Sequence, residues 1–201
     1  MNSKELFGLV SVIPAAIGYF PYVVNIFRGK TKPHAYSWLV WSMIALIGFI
    51  IQFQGEGGPG SWLLGVATLS TFSIFFLSLF YGHKDIQVSD KISLVFASVA
   101  FVFLIATDQP LIAAILITII EAVGAFFPTF RKSYDHPYEE TALVYFTYAI
   151  SICFSLLALE NYALANIFYP SVDLLMYISL VTFLLARRAR IKPPKTKKLA
   201  A

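Results

Sequence analysis

Residues 111–130 read LIAAILITIIEAVGAFFPTF. The stretch holds no Lys or Arg and a single acid, Glu121, and its apolar side chains do not alternate. A barrel strand alternates inward and outward positions and is about half as long. A continuous apolar run of about 20 residues, wound as a helix, matches the ~30 Å hydrocarbon core of a bilayer.

Outward from there, six more apolar runs can be marked: 6–27, 37–54, 61–81, 92–107, 141–159 and 163–186, of which 92–107 is the shortest. Short polar turns separate them. The 201 residues are 58% hydrophobic and 13% charged, with a mean hydropathy of +0.74. A soluble domain carries about 25% charged residues. This balance excludes disorder and a cytosolic enzyme, and seven spans leave no length for a separate catalytic domain. The lone cysteine, Cys153, can form neither an intramolecular disulfide nor a Cys-based metal site. The first residues lead directly into an apolar segment without a small-residue cleavage pattern.

The basic residues orient the spans. Every Lys and Arg except Lys4 falls in the first, third and fifth turns or in the C-terminal tail. Seven spans, with the N-terminus outside and the C-terminus in the cytoplasm, put that charge inside. The basic tail is therefore explained by topology and by anionic lipid headgroups, and nucleic acid is not expected as a partner.

The end of the first span resembles the end of the fifth. Gly18-Tyr19-Phe20-Pro21, Phe27-Arg28 and His34-Ala35-Tyr36 follow in the same order as Gly124, Phe127-Pro128, Phe130-Arg131 and His136-Pro137-Tyr138. The repeat implies two like-oriented three-helix units with an odd span between them. The expected layout is an all-α integral membrane protein of seven transmembrane helices in a 3+1+3 arrangement of two parallel-oriented three-helix bundles. Residues 1–84 form the first repeat, 85–108 the linker helix, 109–188 the second repeat, and 189–201 a basic disordered cytoplasmic tail.

On these residues, and on Pro21, Ile26-Phe27-Arg28-Gly29-Lys30 and Ser37-Trp38-Leu39-Val40-Trp41, the chain resembles the SWEET/PQ-loop (MtN3-like) superfamily, and its small bacterial members in particular. The resemblance implies the 3+1+3 layout, an inner bacterial membrane, and central substrate contacts on the third and seventh spans. It leaves association into homo-oligomers open.

Two carboxylates lie within spans, Glu121 and Asp173. A charged group there costs roughly 2.5–3.5 kcal/mol on insertion scales, so each is expected to face the bundle interior, where it binds solute or protons or holds helices together. An offset of 102 residues sets Thr71 opposite Asp173, and this is the pair expected at the centre. Pro170 removes the helical donor to the carbonyl of Asn166, so the Asn166–Asp173 stretch offers an amide, a free carbonyl, a phenol and a carboxyl. Asn25, Tyr19, Trp41 and Tyr145 are candidate vestibule residues, with Tyr22 and Tyr148. Trp38, Trp62 and Tyr81 are expected in the interfacial belt. His34, His83 and His136 are expected as solvated turn residues. Pro21, Pro128 and Pro170 are candidate hinges. No spacing suggests a catalytic set, a metal site or a cofactor.

The leading expectation is a carrier for a small polar solute (a sugar, amino acid or related metabolite), working by alternating access and open to proton coupling. The alternatives are a non-transporting receptor or sensor of the same fold, and an assembly subunit of a larger membrane complex.

Overall fold

A computed structural model describes residues 1–29, 33–82, 88–135, 137–138, 140 and 142–191. The expectations for His83, His136 and the tail from 192 onward fall outside these residues. Among the described residues the chain is helical: α1 (Ser3–Phe27), α2 (Ala35–Gln54), α3 (Trp62–Tyr81), α4 (Val88–Thr107), α5 (Pro110–Glu121), α6 (Phe127–Asp135), α7 (Ala142–Ala158) and α8 (Leu164–Arg190). A π-helical stretch, Ala122–Phe126, joins α5 to α6 in one rod. Five rods are long and apolar enough to cross a membrane, and two shorter ones are apolar over Leu94–Thr107 and Ala142–Ala158.

The distribution of side chains is inverted relative to a soluble protein. Leu9, Ile13, Ile17 and Phe20 are exposed along α1, and Val95, Val99, Val102 and Ile105 along α4. Stripes of this size are covered by lipid rather than by water. Inside lie Ser11, Ser42, Gln52, Thr118, Ser151 and Ser155. The chain is an all-helical integral membrane protein.

Helix ends follow local chemistry. The first helix begins at Ser3, earlier than its apolar run. Asn2 accepts from the Glu5 backbone while the Glu5 carboxylate accepts from the Asn2 N–H, a reciprocal cap. The last helix runs beyond its apolar run to Arg190, because the Tyr138 hydroxyl donates to the carbonyls of Arg188 and Ile191 at 3.0 and 2.9 Å. The last carbonyls of a helix lack intrahelical donors and are satisfied in this way by side chains. Arg187 and Arg188 donate in turn to the carbonyls of Tyr134 and Pro137. The root of the basic tail is thus bonded to the rest of the protein.

Packing is set by narrow apolar faces. On α2, Val40, Ile44, Ile47 and Ile51 recur at helical spacing and meet Ala97, Ala100 and Leu104 of α4 and Ala113, Ala114 and Ile117 of α5. The alanines allow close approach. Within the amino-terminal helices α3 lies between α1 and α2; among the later ones α8 lies between the α5–α6 rod and α7. Across the middle, α1 packs on α7, α2 on α5, α2 on α8 and α3 on α7, while α4 covers the α2–α5 side.

Proline positions show how the gaps are filled. Both α1 and α8 continue as helices through Pro14, Pro21 and Pro170. The Asn166 carbonyl, left without a donor by Pro170, accepts from Gln52 Nε2 of α2 at 3.0 Å. Gln52→Leu is expected to lower stability by about 0.5–1.5 kcal/mol. The loss should shrink in a Pro170→Ala background, where position 170 regains an N–H. A double-mutant cycle on unfolding reads the coupling.

Candidate functional site

At the centre is a cavity of about 600 Å³. Among the described residues its walls come from α1, α2, α3, the α5–α6 rod, α7 and α8. It extends from Thr71 and Glu121 to His34 and Ser37 in the first turn of α2 and to Val144 and Tyr145 in the first turn of α7. Those turns belong to the end of the molecule that carries Arg28, Arg131 and Arg187.

The opposite end is closed by polar contacts to backbone. Asn166 Nδ2 donates to the carbonyl of Gly55 at 2.7 Å, Asn161 Nδ2 donates to the same oxygen at 2.9 Å, and the Ser155 hydroxyl donates to Gly60 at 2.8 Å. Lys4 donates to the Leu157 carbonyl and the Tyr162 hydroxyl, both at 2.8 Å. The Gly-rich turn after α2 is part of this seal. A Cβ at Gly55 would strike the Asn166 amide, and one at Gly57 would lie 2.7 Å from the Gln52 carbonyl.

Glu121 forms the floor of the cavity, with Asp173 behind it. Both are buried, with exposures of 8% and 3%, and Glu121 Oε2 and Asp173 Oδ1 have no hydrogen-bond partner. They are close enough for their charges to interact, and the phenols of Tyr19, Tyr148, Tyr169 and Tyr177 lie in the same field. Counting 1.5 Å per residue from their helix ends, Glu121, Asp173, Thr71 and Tyr148 all sit about 14–17 Å in, near half the thickness of a hydrocarbon core. Glu121 lines the cavity and Asp173 stands behind the lining.

The π-helical stretch starts directly after Glu121. Such wide turns are frequent at functional positions. Here it spans the carbonyls that the Pro128 nitrogen cannot serve, and the Thr129 hydroxyl donates to Ala125 at 2.8 Å.

The other expected residues divide between wall and frame. Tyr19, Trp41, Tyr145 and Thr71 line the cavity. The Thr71 hydroxyl donates to the Ala67 carbonyl of its own helix at 2.7 Å, leaving only acceptor capacity toward the space. No hydrogen bond joins it to Asp173. Asn166 is not in the wall: its amide belongs to the seal. Asn25 is half-buried and outside the lining, Pro21 is exposed, and Pro170 is buried away from the space. Pro128 lies in α6, its side chain beyond what the structure describes.

Three placements differ from the sequence expectation. Trp38 is buried, not interfacial. It lines the cavity, donates to the Tyr22 hydroxyl at 3.3 Å and meets Trp41 edge-on at 5.1 Å. His34 is not simply solvated: its ring nitrogen accepts from the Ser37 N–H and caps α2 at the cavity mouth. Asp173 is turned toward the Glu121 side, because α8 packs on α5, and no hydrogen bond joins it to Thr71.

Sequence reasoning overlooked Gln52 and Tyr177, and took Tyr169 only as the phenol of the Asn166–Asp173 stretch. A signal was present. Tyr169, Asp173 and Tyr177 stand four residues apart and therefore share one face of α8.

Fold and site together define a polytopic helical membrane protein with an acid-floored, aromatic-walled cavity that reaches one end. Comparisons with protein-family models, with curated proteins and with solved structures found no match.

Proposed function

We propose that the chain is a membrane carrier that moves a small polar solute by alternating access, in the manner of the SWEET/PQ-loop proteins it resembles. In this reading seven spans form two parallel-oriented three-helix bundles, α1–α3 and α5–α8, linked by α4. The basic end faces the cytoplasm of a bacterium and the N-terminus lies outside.

The observation that carries the reading is the cavity itself. All six rods of the proposed bundles contribute to it, it is sealed at one end and it reaches the other. The packing adds support. The third helix is central in each bundle, and the cross-contacts come in matched pairs: α1 on α7 with α2 on α5, and α2 on α8 with α3 on α7. A two-fold axis along the membrane normal produces that pattern.

Purified protein in liposomes is expected to accumulate at least one labelled solute from a panel of sugars, amino acids and amines. The panel is run with and without an imposed proton gradient. Background uptake throughout would overturn the carrier reading. Because the cavity reaches only one end, a receptor of the same fold is the second reading. Exchange of internal for external label separates the two, since a receptor binds without exchange across the bilayer.

A further inference from the structure

We propose that the cavity binds a small organic cation, an ammonium group carrying no acid of its own. The proposal deepens the carrier reading by naming a substrate class, and its transport arm rests on that reading.

Three features share this one cavity. First, Glu121 lines the space with a buried, unpartnered oxygen, and Asp173 adds a second unpartnered carboxyl oxygen behind it. Buried charges are ordinarily paired, because an unpaired one loses its hydration without compensation. Second, no Lys or Arg is among the lining residues described, so the acids have no internal counterion. A carboxylate or phosphate on the solute would have none either. Third, the walls are aromatic on both sides. Tyr22, Trp38 and Trp41 form one wall, with ring separations of 5.0 and 5.1 Å. Tyr148, Tyr177 and Phe126 form the facing one, with separations of 5.0 and 4.9 Å. Aromatic faces attract cations, and ammonium groups are held in such boxes.

Other ligands fit less well. A divalent metal takes six or more oxygens or a cluster of His, Cys and carboxylates, and no such group of three exists among the described residues. A neutral sugar could hydrogen-bond Glu121 and stack on the rings, but it would leave the acid charge without a counterion, which a cation supplies.

The test is titration calorimetry on the full-length protein in lipid nanodiscs. The probes are choline against its carba-analogue, with carbon in place of nitrogen, and butylammonium against butanol. At least one cation is expected to bind about tenfold or more tighter than its uncharged counterpart. Glu121→Gln is expected to weaken that cation about tenfold while the uncharged compound is unaffected. The wild-type comparison needs no variant, so misfolding of Glu121→Gln would not hide the answer. Equal binding of cation and counterpart, binding of neither pair, or displacement of the cation by equimolar sodium would overturn the proposal. Uptake of a neutral sugar with no cation binding would remove this proposal and keep the carrier. Cation binding without uptake of any solute would do the reverse.

Discussion

Asp173→Asn is expected to raise thermal stability and lower solute uptake at the same time. Asp173 is buried at 3% exposure with Oδ1 unpartnered and Glu121 in its field. The substitution keeps the shape and removes one of two facing acids, which should stabilise the fold by about 1–2 kcal/mol. Asp173 lies behind Glu121 rather than in the wall, so it acts on solute through the charge it adds to the site, and a loss of about 1.5 kcal/mol there lowers uptake roughly tenfold. Opposite signs are the mark of a group kept for function at the expense of the fold. A packing role gives the other pattern, lower stability with uptake intact. Thermal unfolding and liposome uptake on one preparation decide between them.

Gly60→Leu should force open the sealed end. A Cβ at Gly60 would lie 2.5 Å from Leu159 Cδ2 and 2.8 Å from Leu159 Cα. The side chain could turn aside, but the backbone atom cannot. Overpacking of this kind costs about 1–3 kcal/mol, and the Ser155 bond to the Gly60 carbonyl is strained with it. The reporter is Ser61→Cys, at a buried position, in a Cys153→Ser background because Cys153 is itself exposed. An impermeant maleimide is expected to label that thiol about tenfold faster when Gly60→Leu is present. Labelling as slow as in the parent would mean that the Gly-rich turn is not a gate.

What could be read from sequence followed from how local each feature is. An apolar run such as 111–130 meets the bilayer whatever its neighbours do, so the helices and the buried acids could be identified from their own residues. The wall residues Tyr19, Trp41 and Tyr145 were legible as polar aromatics within apolar spans. The seal was not. Its acceptors are the backbone carbonyls of Gly55, Gly60 and Asn166, and a carbonyl has no side-chain signature. Trp38 was misplaced because position near a span end resembles a belt residue until α1 supplies Tyr22 as its partner. The offset of 102 paired Thr71 with Asp173 as equivalents. It carried no information on which helix α8 touches, and that contact brings in Glu121.

Among the described residues the α4 helix leans on α2 and α5, while α1 and α7 meet each other directly. A brace on one flank alone makes any parting of the bundles lopsided, like a door hung from a single jamb. In the proposed carrier the two flanks would then part unequally, α2 from α5 with a brace and α1 from α7 without one. In that proposed carrier the uptake rate should respond differently to acyl-chain order beside α4 and beside α1 and α7.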